Sequence, residues 1–91
     1  MLEAPLTKSI LHKLNKIDGC RARKIHGGGY GAGWPDIIAV KNGHTIFLEV
    51  KTPRGKVSKL QAIELAAWHD AGATCAIIRS VNEALQIIHS I

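Results

Sequence analysis

Residues 36–52 read DIIAVKNGHTIFLEVKT, and this stretch decides the fold. Asp36–Lys41 and His44–Thr52 are rich in β-branched and apolar residues, the composition of strands. Asn42-Gly43 stands between them, and both residues accept the positive φ of a tight hairpin turn. With a two-residue turn Lys41 faces His44, every opposed pair sums to 85, and Asp36 falls opposite Glu49. Strand side chains alternate between faces. One face then carries Asp36, Ile38, Val40, Thr45, Phe47, Glu49 and Lys51, and the other Ile37, Ala39, Ile46, Leu48 and Val50. Both faces are largely apolar near the turn, so the hairpin is expected inside the fold, charged at one end of one face.

Two carboxylates opposed across a ladder have Cβ atoms about 4.5–5.5 Å apart. Their charges repel, and one protonates unless a cation intervenes. A divalent metal is the economical partner. Oxygen ligands in a partly open shell suit Mg²⁺ or Mn²⁺ better than zinc, and the Val50 carbonyl offers a third oxygen. Lys51 lies one pleat from Glu49, where its ammonium can hold an attacking water. A hard cation beside a lysine in basic surroundings suggests a phosphodiester substrate. Taken singly, Asp36 reads as a strand-end cap and Glu49–Lys51 as an ordinary salt-bridged pair on an edge. The shared register is what gathers three charged groups in an otherwise apolar element.

Outward from the hairpin, Leu6, Ile10, Leu14 and Ile17 recur at helical spacing, with Pro5 in the first turn and Gly19 as the stop. Cys20–His26 reads as a basic strand, followed by GGGYGAG over residues 27–33, too glycine-rich for regular structure. Ser58 and Gln61 form a capping box for a second helix, closed by Gly72. Ala73–Arg79 reads as another strand, and Ser80 with Glu83 as a second capping box opening a last helix. The order is α-β-β-β-α-β-α, a mixed α/β domain over residues 1–91.

The chain has 91 residues, 46% hydrophobic and 21% charged, which excludes a disordered tail. No apolar run is long enough for a membrane span, and no secretory signal is visible. Cys20 and Cys75 are too few for a disulfide framework or a cysteine-rich zinc site, so a reducing, cytoplasmic setting is expected. The net charge of +5 is uneven: residues 1–35 carry +4, residues 36–59 carry +3 and residues 60–91 carry −2. The first two-thirds attract anions, and nucleic acid is the commonest partner of such a domain.

Pro35-Asp36, then twelve residues, then Glu49-Val50-Lys51 resembles the PD-(D/E)xK nuclease motif. Gly33-Trp34 before it, Thr52-Pro53, Gly55, Ser58 and Gln61 after it, and the later Ala71-Gly72-Ala73 with Ile77-Ile78-Arg79-Ser80 are similar to the virus-type replication-repair nuclease domain, VRR-NUC. The resemblance covers most of residues 27–88. It implies a restriction-endonuclease-like fold and a Mg²⁺- or Mn²⁺-dependent DNA endonuclease of the cytoplasm of a bacterial or phage-infected cell. Asp36 and Glu49 would be metal ligands with the Val50 carbonyl, Lys51 the catalytic lysine, and Gln61 a neighbour of the metal site. Glu3 is the candidate for the family's acidic residue on the first helix. Stand-alone members are similar to Holliday-junction resolvases and act as homodimers, whereas fused members cut flaps. A flap or duplex nuclease and a non-catalytic nucleic-acid-binding module are the alternatives. Neither a membrane nor a small-molecule cofactor is expected.

GGGYGAG lacks the lysine ending of a phosphate-binding P-loop and reads instead as a DNA-contacting loop. Tyr30 or Trp34 is able to stack on a base there, and for Trp34 packing against the sheet is the other reading. Arg21, Arg23 and Lys24 are candidates for a phosphate track together with Lys8, Lys13 and Lys16. Arg54, Lys56 and Lys59 flank the hairpin, and the helix start at Ser58 offers amides to a phosphate. Trp68 reads as core or dimer surface, and both cysteines as buried strand residues.

Overall fold

The computed structural model describes residues 2–25 and 33–91. Helix α1 spans Glu3–Leu14, strands β1, β2 and β3 span Cys20–Lys24, Ile37–Lys41 and His44–Val50, helix α2 spans Lys59–Asp70, strand β4 spans Thr74–Ile78 and helix α3 spans Val81–His89. The strands form one sheet in the order β1-β2-β3-β4. β1, β2 and β3 pair antiparallel, and β4 joins β3 in parallel. This is the expected α-β-β-β-α-β-α arrangement, with the hairpin occupying the two central strands.

The hairpin register follows from the turn. Asn42 and Gly43 have φ of 50° and 84°, the type I′ geometry that matches strand twist. Lys41 pairs with His44 and Ile37 with Leu48, as predicted. Gly19 docks the turn, accepting the Asn42 N–H at 3.1 Å. Its φ of +76° favours glycine, and a Cβ there would also displace the Asn42 side chain.

Ile37, Ala39, Ile46, Leu48 and Val50 are buried on one face, with α1 supplying Leu6, Ile10 and Leu14 and α3 supplying Ala84 and Ile88. On the opposite face α2 covers the β3–β4 half through Leu65 and Trp68, whose ring lies 4.7 Å from that of Phe47. The β1–β2 half of that face is open, with Val40 40% exposed. Trp68 is half-buried, so it belongs to this small second core.

Four expectations change in detail. β1 ends at Lys24, and His26 with residues 27–32 lies outside the described residues. Cys20 and Cys75 lie on strands but are half-buried, because both strands are sheet edges. At the start of α3 the Ser80 hydroxyl accepts the Glu83 N–H at 3.1 Å, but Glu83 returns to the Arg79 N–H at 3.1 Å instead of completing a box on Ser80. Ile17 lies beyond α1, half-buried against the core.

A feature with no periodic signal closes the outer edge of β1. The Asn15 amide donates to the Ala22 carbonyl at 3.0 Å and accepts the Ala22 N–H at 2.8 Å, as a neighbouring strand would.

Candidate functional site

The hairpin brings its charged end together, though not by a plain ladder pair. The β2–β3 ladder stops at Ile37 and Leu48, and the Asp36 N–H donates to the Leu48 carbonyl at 3.1 Å. Pro35, buried and without an N–H, precedes it. The Asp36 side chain takes over from the ladder: its Oδ2 accepts the Val50 N–H at 2.7 Å. The carboxyl is thereby fixed over β3, close enough to Glu49 for the two charges to interact.

Glu49 is 1% exposed on a central strand, so it is not a pair on a sheet edge. Its Oε2 accepts from Gln61 Nε2 at 3.0 Å and lies 3.8 Å from Lys51 Nζ. Its Oε1 is buried with no hydrogen-bond partner. Burial pushes the Glu49 carboxyl up to about 8, helped by the charge of Asp36 and opposed by Lys51. The charge of Glu3, at the exposed start of α1, also pushes it up. A charged, unpaired carboxylate is costly in this place, and its partnerless buried oxygen is an acceptor of the kind that suits a cation.

Gln61 does two tasks. Its Oε1 accepts the Ser58 N–H at 2.9 Å, completing the capping box, which turns its Nε2 toward Glu49. The α2 cap and the carboxylate are thus held by one amide. Lys51 continues the parallel ladder through its own N–H to the Ile78 carbonyl at 2.9 Å, and its side chain is 12% exposed.

The basic candidates divide by position. Arg21 and Arg23 oppose Val40 and Ile38, so they share the Glu49 face on its open half and are exposed. Lys24 opposes Ile37 and belongs to the other face. Arg54, Lys56 and Lys59 are exposed on the loop and helix start beside Lys51. Ser58 is exposed too, but the capping box uses its hydroxyl and N–H, so the free amides at the tip of α2 are those of Lys59 and Leu60. Trp34 is exposed. Tyr30 lies outside the described residues. No group of three or more His, Cys, Asp or Glu side chains is placed to hold a metal among the described residues.

No family model and no curated protein matches the chain. A solved structure described as a VRR_NUC domain matches over 96% of this chain and 94% of its own length, with a TM-score of 0.78 and 24% sequence identity. The chain has the VRR_NUC fold. The arrangement of three helices on a four-stranded mixed sheet, in the order α-β-β-β-α-β-α, is consistent with a restriction-endonuclease-like fold. The likeness is one of backbone, so the chemistry of this VRR_NUC fold rests on its own residues. Among the described residues no helix is long and apolar enough to cross a membrane.

Proposed function

We propose that the chain is a divalent-metal-dependent DNA endonuclease. One observation carries the reading: the partnerless, buried Oε1 of Glu49, beside the Asp36 carboxyl and 3.8 Å-paired with Lys51 through its other oxygen. A buried carboxyl pair with an unsatisfied oxygen suits a hard cation, and the donor set of Asp36, Glu49 and the Val50 carbonyl is all oxygen, as Mg²⁺ or Mn²⁺ requires. The chemistry such a cation supplies is polarisation of the phosphoryl group and acidification of water.

The protein's own residues do the rest. Gln61 holds Glu49 in one rotamer through the 3.0 Å bond, so the carboxylate needs no rearrangement to bind. Asp36 is fixed by the Val50 N–H. The Lys51 ammonium, held at the rim of the pair, orients the attacking water and offsets charge growing on the phosphate. Arg21 and Arg23 on one side and Arg54, Lys56 and Lys59 on the other make a basic rim that draws in the DNA backbone.

The substrate we infer is branched DNA, cut by a homodimer in the manner of a Holliday-junction resolvase. A molecule 33 × 32 × 22 Å spans about one turn of duplex, which has a pitch of about 34–36 Å, so two copies are needed to hold two arms. Leu60, Ile63 and Ile77, exposed along α2 and β4, supply apolar surface for such a pairing.

The test is a cleavage panel of four-way junction, flap, duplex and single strand with Mg²⁺ and with Mn²⁺, beside a light-scattering mass. Junction cleavage by a dimer is expected. A monomer cutting only flaps replaces the resolvase reading with a flap nuclease. Salt-dependent binding without cleavage on any substrate leaves a non-catalytic binding module.

A further inference from the structure

The segment between Lys51 and α2 has no regular structure, yet both of its ends belong to the site. Lys51 stands at one end and Ser58–Gln61, which grips Glu49, at the other. Thr52, Pro53 and Gly55 would be free to wander if only their own turn held them, through the Gly55 N–H to the Thr52 carbonyl at 3.0 Å. A residue remote in sequence adds the restraint. Arg79, just after β4, points its guanidinium into the turn, and Nη1 donates to the carbonyls of Thr52 and Gly55, each at 2.7 Å. Those two bonds use both hydrogens of Nη1, and the Pro53 carbonyl at 3.5 Å is a bystander.

Arg79 is itself fixed. Its N–H donates to Glu83 Oε2 at 3.1 Å, in the first turn of α3. The carbonyl of Ile78, immediately before it, accepts the Lys51 N–H at 2.9 Å. The guanidinium forms no ion pair among the described residues. Its partners are neutral carbonyls, two of them bonded by one guanidinium nitrogen. Charge-assisted bonds to carbonyls are among the stronger kinds.

We infer that Arg79 is a positioning residue: it clasps the 52–55 turn to β4 and α3 and so sets Lys51 and Gln61 relative to Glu49. This deepens, and rests on, the nuclease reading, while the clasp is a structural claim that can be read without DNA.

The test uses wild-type protein, Arg79→Ala and Arg79→Lys. Trypsin has sites at Arg54 and Lys56 inside the clasped loop and at Lys8 and Lys13 on α1, which serve as the internal comparison. In Arg79→Ala, cleavage after Arg54 and Lys56 is expected to rise at least about tenfold relative to α1, since losing even one of the two charge-assisted bonds gives that change. Arg79→Lys falls between Ala and wild type. Single-turnover DNA cleavage falls about 10–100-fold in Arg79→Ala, as a displaced reacting group gives, with DNA affinity within threefold of wild type. A trypsin pattern in Arg79→Ala identical to wild type overturns the clasp, and so does an equal rise at the α1 sites. Wild-type protein that cuts no DNA sinks the nuclease reading and leaves the proteolysis result to decide the clasp.

Discussion

Glu49 is the residue on which the account turns. Its carboxyl is ordinary in the unfolded chain and raised to about 8 in the fold, by burial first and the Asp36 charge second. Between those two values the metal-free folded state holds a proton that the unfolded state has released. Stability from this group therefore falls as pH rises from about 4.5 towards 8, by at most about 1.4 kcal/mol per unit, and levels off above it. Thermal melts of metal-free protein at pH 5.5, 6.5, 7.5 and 8.5 should show this decline for wild type and a shallower one for Glu49→Gln. Subtracting the two isolates the contribution of Glu49. Equal slopes would mean that Glu49 is an ordinary carboxylate. The pair of Glu49 with Lys51 was legible in the sequence, because alternation alone puts residues 49 and 51 on one face. The orphaned Oε1 was not, since it depends on what α2 leaves unbonded.

At the scale of elements, the strands were legible where one local rule decides them. Asn42-Gly43 fixes the turn, the turn fixes the register, and the register sorts Ile37 and Leu48 from Phe47 and Glu49. Capping did the same for α2, where Ser58 and Gln61 lie three apart. What escaped were side chains bonding to distant backbone. Asp36 replaces a ladder bond, Arg79 clasps a turn 24 residues away, and Asn15 finishes the edge of β1. None repeats with a period, so no pattern announces it. The Asn15 contact has a direct consequence. Asn15→Ala strips both partners from the Ala22 backbone, a loss of about 1–3 kcal/mol. A melting point lower by about 4–15 °C is expected for a domain of this size. Hydrogen exchange should then speed up at Ala22 before it does in β3. An unchanged melting point would mean that water serves the edge equally well.

For the molecule as a whole, the layout joins field to chemistry. Composition alone marked a basic chain of net charge +5. The fold sends Arg21 and Arg23 to the open half of the face that carries Glu49, and sets Arg54, Lys56 and Lys59 on the other side of it. Lys24, adjacent in sequence, goes to the opposite face because strand alternation splits neighbours. An acidic pair thus lies among exposed basic side chains, the kind of field that would draw a polyanion toward it. The central claim is that this pair, with Lys51, hydrolyses the phosphodiester. The most direct measurement is the single-turnover rate of Mg²⁺-dependent DNA cleavage by Lys51→Ala beside wild type, with DNA affinity measured in parallel. The account predicts a rate lower by about 10²–10⁴-fold, the range for removing a positioned catalytic group, at nearly unchanged affinity. Lys51→Ala cutting at the wild-type rate would contradict it.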